Sequence, residues 1–176
     1  MEDQCDLSKL KKKSGKKRKN SRSKGQRFER EVVALFNERF STTDFMRSPG
    51  SGAYATTHRV PEDMRIYGDL ITPKWFKFTV ECKSGYNHLD ISHFLDKNSA
   101  LWALILQASN DAKAANKEPL LIVKQDRRKP LVFTKEVYWL EALERKKEVI
   151  SHVTVDGWKM LTLEEFLKFE DSYFQI

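Results

Sequence analysis

At 176 residues, with 40% hydrophobic and 11% aromatic content, the chain has apolar material for one proper core and is short for two ordinary domains. Two cysteines exclude a disulfide framework, and no apolar run, "ALWALILQA" (100–108) included, approaches the ~20 residues of a membrane span, so an intracellular protein without a membrane partner is expected, cytoplasmic or nucleoid-associated. Lys and Arg outnumber Asp and Glu by 32 to 25, and the excess sits at the front: Lys9 to Arg27 holds 11 basic residues and no acidic one, while from Phe28 onward 21 basic residues face 22 acidic.

Residues 1–22 are therefore expected to form a basic arm, too charged and too poor in apolar side chains to order itself before it meets a polyanion. Nucleic acid is the natural partner, bound through phosphates with a marked salt dependence. A first helix is predicted from about Ser23 to Phe40, with Phe28, Val32, Val33, Leu35, Phe36 and Phe40 on one face. At roughly 100° per residue Glu29 falls inside that apolar arc, where a carboxylate must be paired, hydrogen-bonded or bound to a metal.

A short strand at Asp44 leads into a Gly-, Ser- and Pro-rich loop, and "RIYGDLITP" (65–73) is a second strand carrying Asp69. In "FKFTVECKS" (76–84) the apolar Phe76, Phe78, Val80 and Cys82 alternate with Lys77, Thr79, Glu81 and Lys83, the period-two pattern of a strand with one core face and one polar face. A helix is expected from Asp90 to Asn116, using Leu95, Leu101, Leu104, Ile105 and Ala108, then a strand at 119–126 covered on both faces and a hairpin partner at 129–136. Two further helices flanking a strand pair, "HVTV" and "WKML", complete the chain. The order αβββαβ gives an α/β (α+β) class, a central mixed sheet flanked by helices: a core over 23–140 and a helical extension over 141–176 packed on it.

Asp69 and Glu81 are twelve residues apart across a turn, so adjacent antiparallel strands would bring them side by side. Carboxylates that close repel unless a cation lies between them, and hard oxygen ligands suit Mg²⁺ or Mn²⁺. Lys83, on the strand face of Glu81, would then orient or deprotonate the attacking water, or offset phosphate charge. His58, His88, His93 and His152 show no metal spacing and are read as surface or core residues.

With "KGQRFEREVV" (24–33), "MRSPGSGA" (46–53), "GDLI" (68–71) and "VECKS" (80–84) in this order, the chain resembles the archaeal Holliday junction resolvases of the PD-(D/E)XK nuclease superfamily. The resemblance implies a restriction-endonuclease-like core and a homodimeric, Mg²⁺-dependent endonuclease acting on branched or duplex DNA. It implies catalytic roles for Glu29, Ser51, Asp69, Glu81 and Lys83. Asp69, Glu81 and the Cys82 carbonyl would hold the metal, with Glu29 acting through water. Lys24, Arg27, Arg30, Arg47, Arg127, Arg128 and Lys129 would contact phosphates, and Gln107 matches a glutamine that some related nucleases keep near the site. Gly68 stands where a Pro often precedes the Asp. Two rival readings are a nuclease for linear, flapped or single-stranded DNA and a non-catalytic nucleic-acid-binding module.

Overall fold

Helix α1 (Ser21–Arg39) buries Phe28, Val32 and Phe36 of the expected apolar face, whereas Leu35, assigned to the same face, is 40% exposed. The computed structural model describes residues 21–49, 67–135 and 151–176. After α1 come β1 (Met46–Arg47), β2 (Leu70–Ile71), β3 (Phe78–Ser84), α2 (Ile91–Leu95), α3 (Ala100–Ala114), β4 (Glu118–Lys124), β5 (Leu131–Lys135), β6 (Val153–Val155), β7 (Trp158–Thr162), α4 (Leu163–Phe166) and α5 (Asp171–Phe174).

Among the described residues the main sheet has five strands in the order β3-β4-β5-β7-β6, with β3 parallel to β4 and every other neighbour antiparallel. This is the expected mixed sheet with helices against it. One face packs Val80, Cys82, Leu120, Ile122, Val132 and Leu161 against α1, α4 and α5. The other sets Leu121, Val123, Phe133 and Trp158 against Phe94 of α2 and Leu101, Ile105 and Ala108 of α3. β4 is buried from both sides, as its unbroken apolar run demands.

Three local expectations change. The helix expected from Asp90 to Asn116 is two helices: Asp90 caps α2 in a capping box with His93, and Asp96 then turns the chain by accepting from the Asn98 and Ser99 amides. Leu95, read as an apolar position of that single helix, is consequently 62% exposed. The polar face of β3 is no solvent face, because α3 covers it and Thr79 and Glu81 are buried. The strand pair "HVTV" and "WKML" forms as β6 and β7, and β7 lies beside β5 inside the main sheet, so this part of 141–176 is built into the core sheet.

The carboxyl-terminal segment is also tied to α1. Arg39 Nε donates to the Leu167 carbonyl and Nη2 to that of Phe169, both at 2.7 Å, while Nη1 lies 2.8 Å from Asp171 and the guanidinium stands over Phe40 and Phe174. Arg39→Ala is expected to cost about 2–3 kcal/mol in urea unfolding, since it strips two carbonyls of a charged donor. Arg39→Lys should recover only part, because an ammonium cannot serve both carbonyls with the same planar fork.

Candidate active site

Among the described residues β3 is an edge strand, and along its outer edge lies the segment of Asp69. The Asp69 amide donates to the Val80 carbonyl at 2.8 Å and its Oδ2 accepts from the Cys82 amide at 2.8 Å. Asp69 thus fills the positions that a neighbouring strand would fill. The juxtaposition with Glu81 is as expected, but its route differs: β2 pairs with β1 and not with β3, and among the described residues it is Asp69 that bonds to the β3 edge. Because the N–H and C=O of one residue leave a strand on the same side, the Cys82 carbonyl shares this edge with Asp69.

Glu81, paired in register with Leu121, projects toward α3 and is 4% exposed. Its Oε1 accepts from the Lys83 ammonium and, at 2.9 Å, from Gln107 Nε2 on α3. Burial first, and then the nearby Asp69 charge, push the Glu81 carboxyl up to about 7, against the pull of Lys83. Burial opposes the charge on Lys83, but Glu81 more than offsets it and holds the ammonium above its ordinary value. The Cys82 thiol, on the α1 face, is pushed up by burial and by the charges of Asp69, Glu81 and Glu29 and stays protonated.

Glu29 approaches from that same α1 face. It is buried, and Arg47 on β1 donates to its Oε2 at 3.1 Å. Three carboxylates therefore reach the edge of β3 from different sides, although among the described residues no three His, Cys, Asp or Glu side chains already close on one point. Their chemistry fits a hard divalent cation: the donors are carboxylate oxygens and a backbone carbonyl, and the Asp69 charge that lifts Glu81 is the repulsion such an ion relieves.

The expected residues divide accordingly. Glu29, Asp69, Glu81, Cys82, Lys83 and Gln107 are brought around one strand edge, whereas Ser51 lies outside the described residues. Arg47, expected on phosphates, faces inward to Glu29. Of the remaining basic residues Lys24 meets Asp126 at 3.4 Å, Arg27 meets Glu31 at 3.0 Å and Lys129 meets Glu164 at 2.5 Å; Arg128 bonds to Gln125, while Arg30 and Arg127 are exposed. Asp111 went unnoticed in the sequence. It lies four residues after Gln107 on α3, and its carboxyl is pushed up by burial and by Asp69, against Lys83. The i, i+4 spacing from Gln107 was the available signal.

A mixed sheet clad on both sides, with its acids gathered at the edge strand and a lysine two residues after the last of them, is the restriction-endonuclease-like α+β arrangement. The family described as "Phage putative PDDEXK endonuclease" matches residues 20–175, and the chain belongs to that family. It is accordingly a PD-(D/E)XK nuclease and a hydrolase, in a group of enzymes that typically uses divalent metals. The superfamily expectation holds; the match does not select the archaeal junction-resolving branch. No curated protein and no solved structure matches. Among the described residues no helix is long and apolar enough to cross a membrane.

Proposed function

We propose that the chain is a Mg²⁺-dependent endodeoxyribonuclease that cuts branched DNA, four-way junctions foremost. The observation that carries this reading is the hydrogen bond from the Cys82 amide to Asp69, which seats one carboxylate on the β3 edge beside Glu81. Asp69, Glu81 and the Cys82 carbonyl would hold Mg²⁺, or Mn²⁺ in its place, with Glu29 behind a water. When bound, the ion polarises the scissile phosphate and acidifies a coordinated water.

The chain's own residues do the rest. Gln107 and Lys83 fix the Glu81 carboxylate from two directions, and Arg47 holds Glu29. The Lys83 ammonium orients the attacking water and offsets charge as the new P–O bond forms and the ester oxygen leaves with a proton. Ser51 keeps its proposed catalytic role. Symmetric cutting of a junction needs two sites related by a twofold axis, so the reading includes a homodimer.

The test compares a labelled four-way junction, a flapped duplex and a linear duplex, each with Mg²⁺ and with EDTA, beside Glu81→Ala. Paired, metal-dependent cuts confined to the junction and absent from the variant are expected. Equal cutting of every substrate would leave a general nuclease, and no cutting by folded protein would favour the binding module.

The arm supplies a separate prediction. Residues 1–20 carry eight Lys and Arg side chains, and their deletion keeps every described residue of α1. The truncated protein is expected to bind DNA more weakly and to show a flatter plot of log K against log salt, by several units of slope. An unchanged slope would mean that the arm makes no phosphate contact.

A further inference from the structure

The segment after the catalytic strand carries three rings in a row. Tyr86 and His88 stand 6.1 Å apart between centroids, and His88 and His93 6.2 Å apart. The outer two are anchored. Tyr86 is half-buried and packs against the α2–α3 side of the sheet, and its carbonyl accepts from Gln125 Nε2 at 3.0 Å. His93 is held at 2.9 Å from Asp90 within the cap of α2. His88 between them is exposed.

The backbone beneath this row is fixed as firmly. Asn87 donates to Asp126 Oδ2 at 3.0 Å and accepts from the Asp126 amide at 2.7 Å, while Gln125 Nε2 also reaches the Leu89 carbonyl. An exposed loop so bound presents one ring at a defined place. That place lies past the carboxyl-terminal ends of the parallel strands β3 and β4, and Tyr86 is three residues beyond Lys83, at most about 10 Å along the chain.

One cation, Arg128, is tied to this row through Gln125. The buried Gln125 that holds Tyr86 also accepts from Arg128 Nη1 at 3.2 Å through its Oε1, so one side chain links the aromatic row to the basic turn Arg127–Lys129. Aromatic rings that offer a free face next to backbone-tracking cations are the means by which proteins hold unpaired nucleotides, because every base can stack and every nucleotide carries a phosphate.

Resting on the nuclease reading, we propose that the Tyr86–His88–His93 row with Arg128 is a subsite for one unpaired nucleotide of the DNA substrate, its base stacked on His88 and its phosphate facing Arg128. In an intact duplex that base stays inside the helix. The subsite therefore favours DNA with an unstacked base near the cut, at a junction centre, a flap or a bulge, over continuous duplex.

The experiment uses the full chain carrying Glu81→Gln, so that no substrate is consumed, and DNA with 2-aminopurine either at an unpaired position or within continuous duplex. Binding is expected to quench the unpaired probe strongly and the paired probe little. Adding His88→Ala should lose most of that quench and about 10-fold in affinity for unpaired DNA, with duplex affinity unchanged, and His88→Trp should restore both. Equal quenching with and without the ring, or equal loss of affinity for both DNAs, would overturn the subsite. Cleavage is assayed separately in the parent chain with Mg²⁺, so an inactive parent that still shows the ring-dependent quench would sink the nuclease reading and leave the subsite standing.

Discussion

Glu81→Gln is expected to abolish cleavage, by at least 10²–10⁴-fold, the range of a group that stabilises charge or moves a proton in the transition state, while the fold persists. The substitution keeps the side-chain volume and an oxygen for Lys83 and Gln107, and removes only the charge that a divalent cation would need. It removes a charge that burial and Asp69 disfavour, but also the partner that offsets the burial of Lys83; the two effects oppose, so thermal stability is expected to stay close to the parent's. Asp69→Asn should behave in the same way, because the amide oxygen can still accept from the Cys82 amide. DNA binding should persist or tighten in both as anionic repulsion falls. Cleavage assays paired with thermal melts check this: a variant that melts like the parent and cuts at the parent rate refutes the assignment, whereas loss of both folding and cutting would assign the acids a structural role.

Much of this site was legible because its signals were local. The alternation in β3 gave the face of each residue, and the period of α1 put Glu29 where an acid is out of place, as its burial bears out. What periodicity cannot reveal is how a neighbouring element covers a polar face. Nothing in "FTVECKS" says that α3 will bury Thr79 and Glu81, or that Gln107 and Asp111 will arrive there from the next helix. The break between α2 and α3 was missed because Asp96 and Ser99 stop a helix through local side-chain and turn hydrogen bonds, which compete with an otherwise helical apolar pattern. The pairing of β2 with β1 rather than β3 was hidden for a similar reason. Alternation assigns faces, and it does not choose partners.

Gly68→Ala is expected to destabilise the protein by about 2–5 kcal/mol and to take cleavage with it. Gly68 has φ +78°, a left-handed conformation that costs an L-residue about 1–2 kcal/mol, and an added Cβ would stand 2.5 Å from the Val80 carbonyl oxygen and 3.0 Å from the Thr79 methyl. Neither the β3 backbone nor the buried Thr79 can retreat freely, so overpacking adds a further 1–3 kcal/mol or so. The same carbonyl accepts the Asp69 amide, and pushing the chain away from β3 lengthens that bond together with the one from Cys82 to Asp69. This accounts for glycine here: the position before the acid must let two backbones approach closely while the chain turns onto the β3 edge. Gly157, with φ +73° but open space around its Cβ, is the control, and its change to Ala should cost only the backbone term and leave cleavage intact. Equal losses at the two glycines in urea melts would show that strain alone, and not the approach to β3, sets the cost at Gly68.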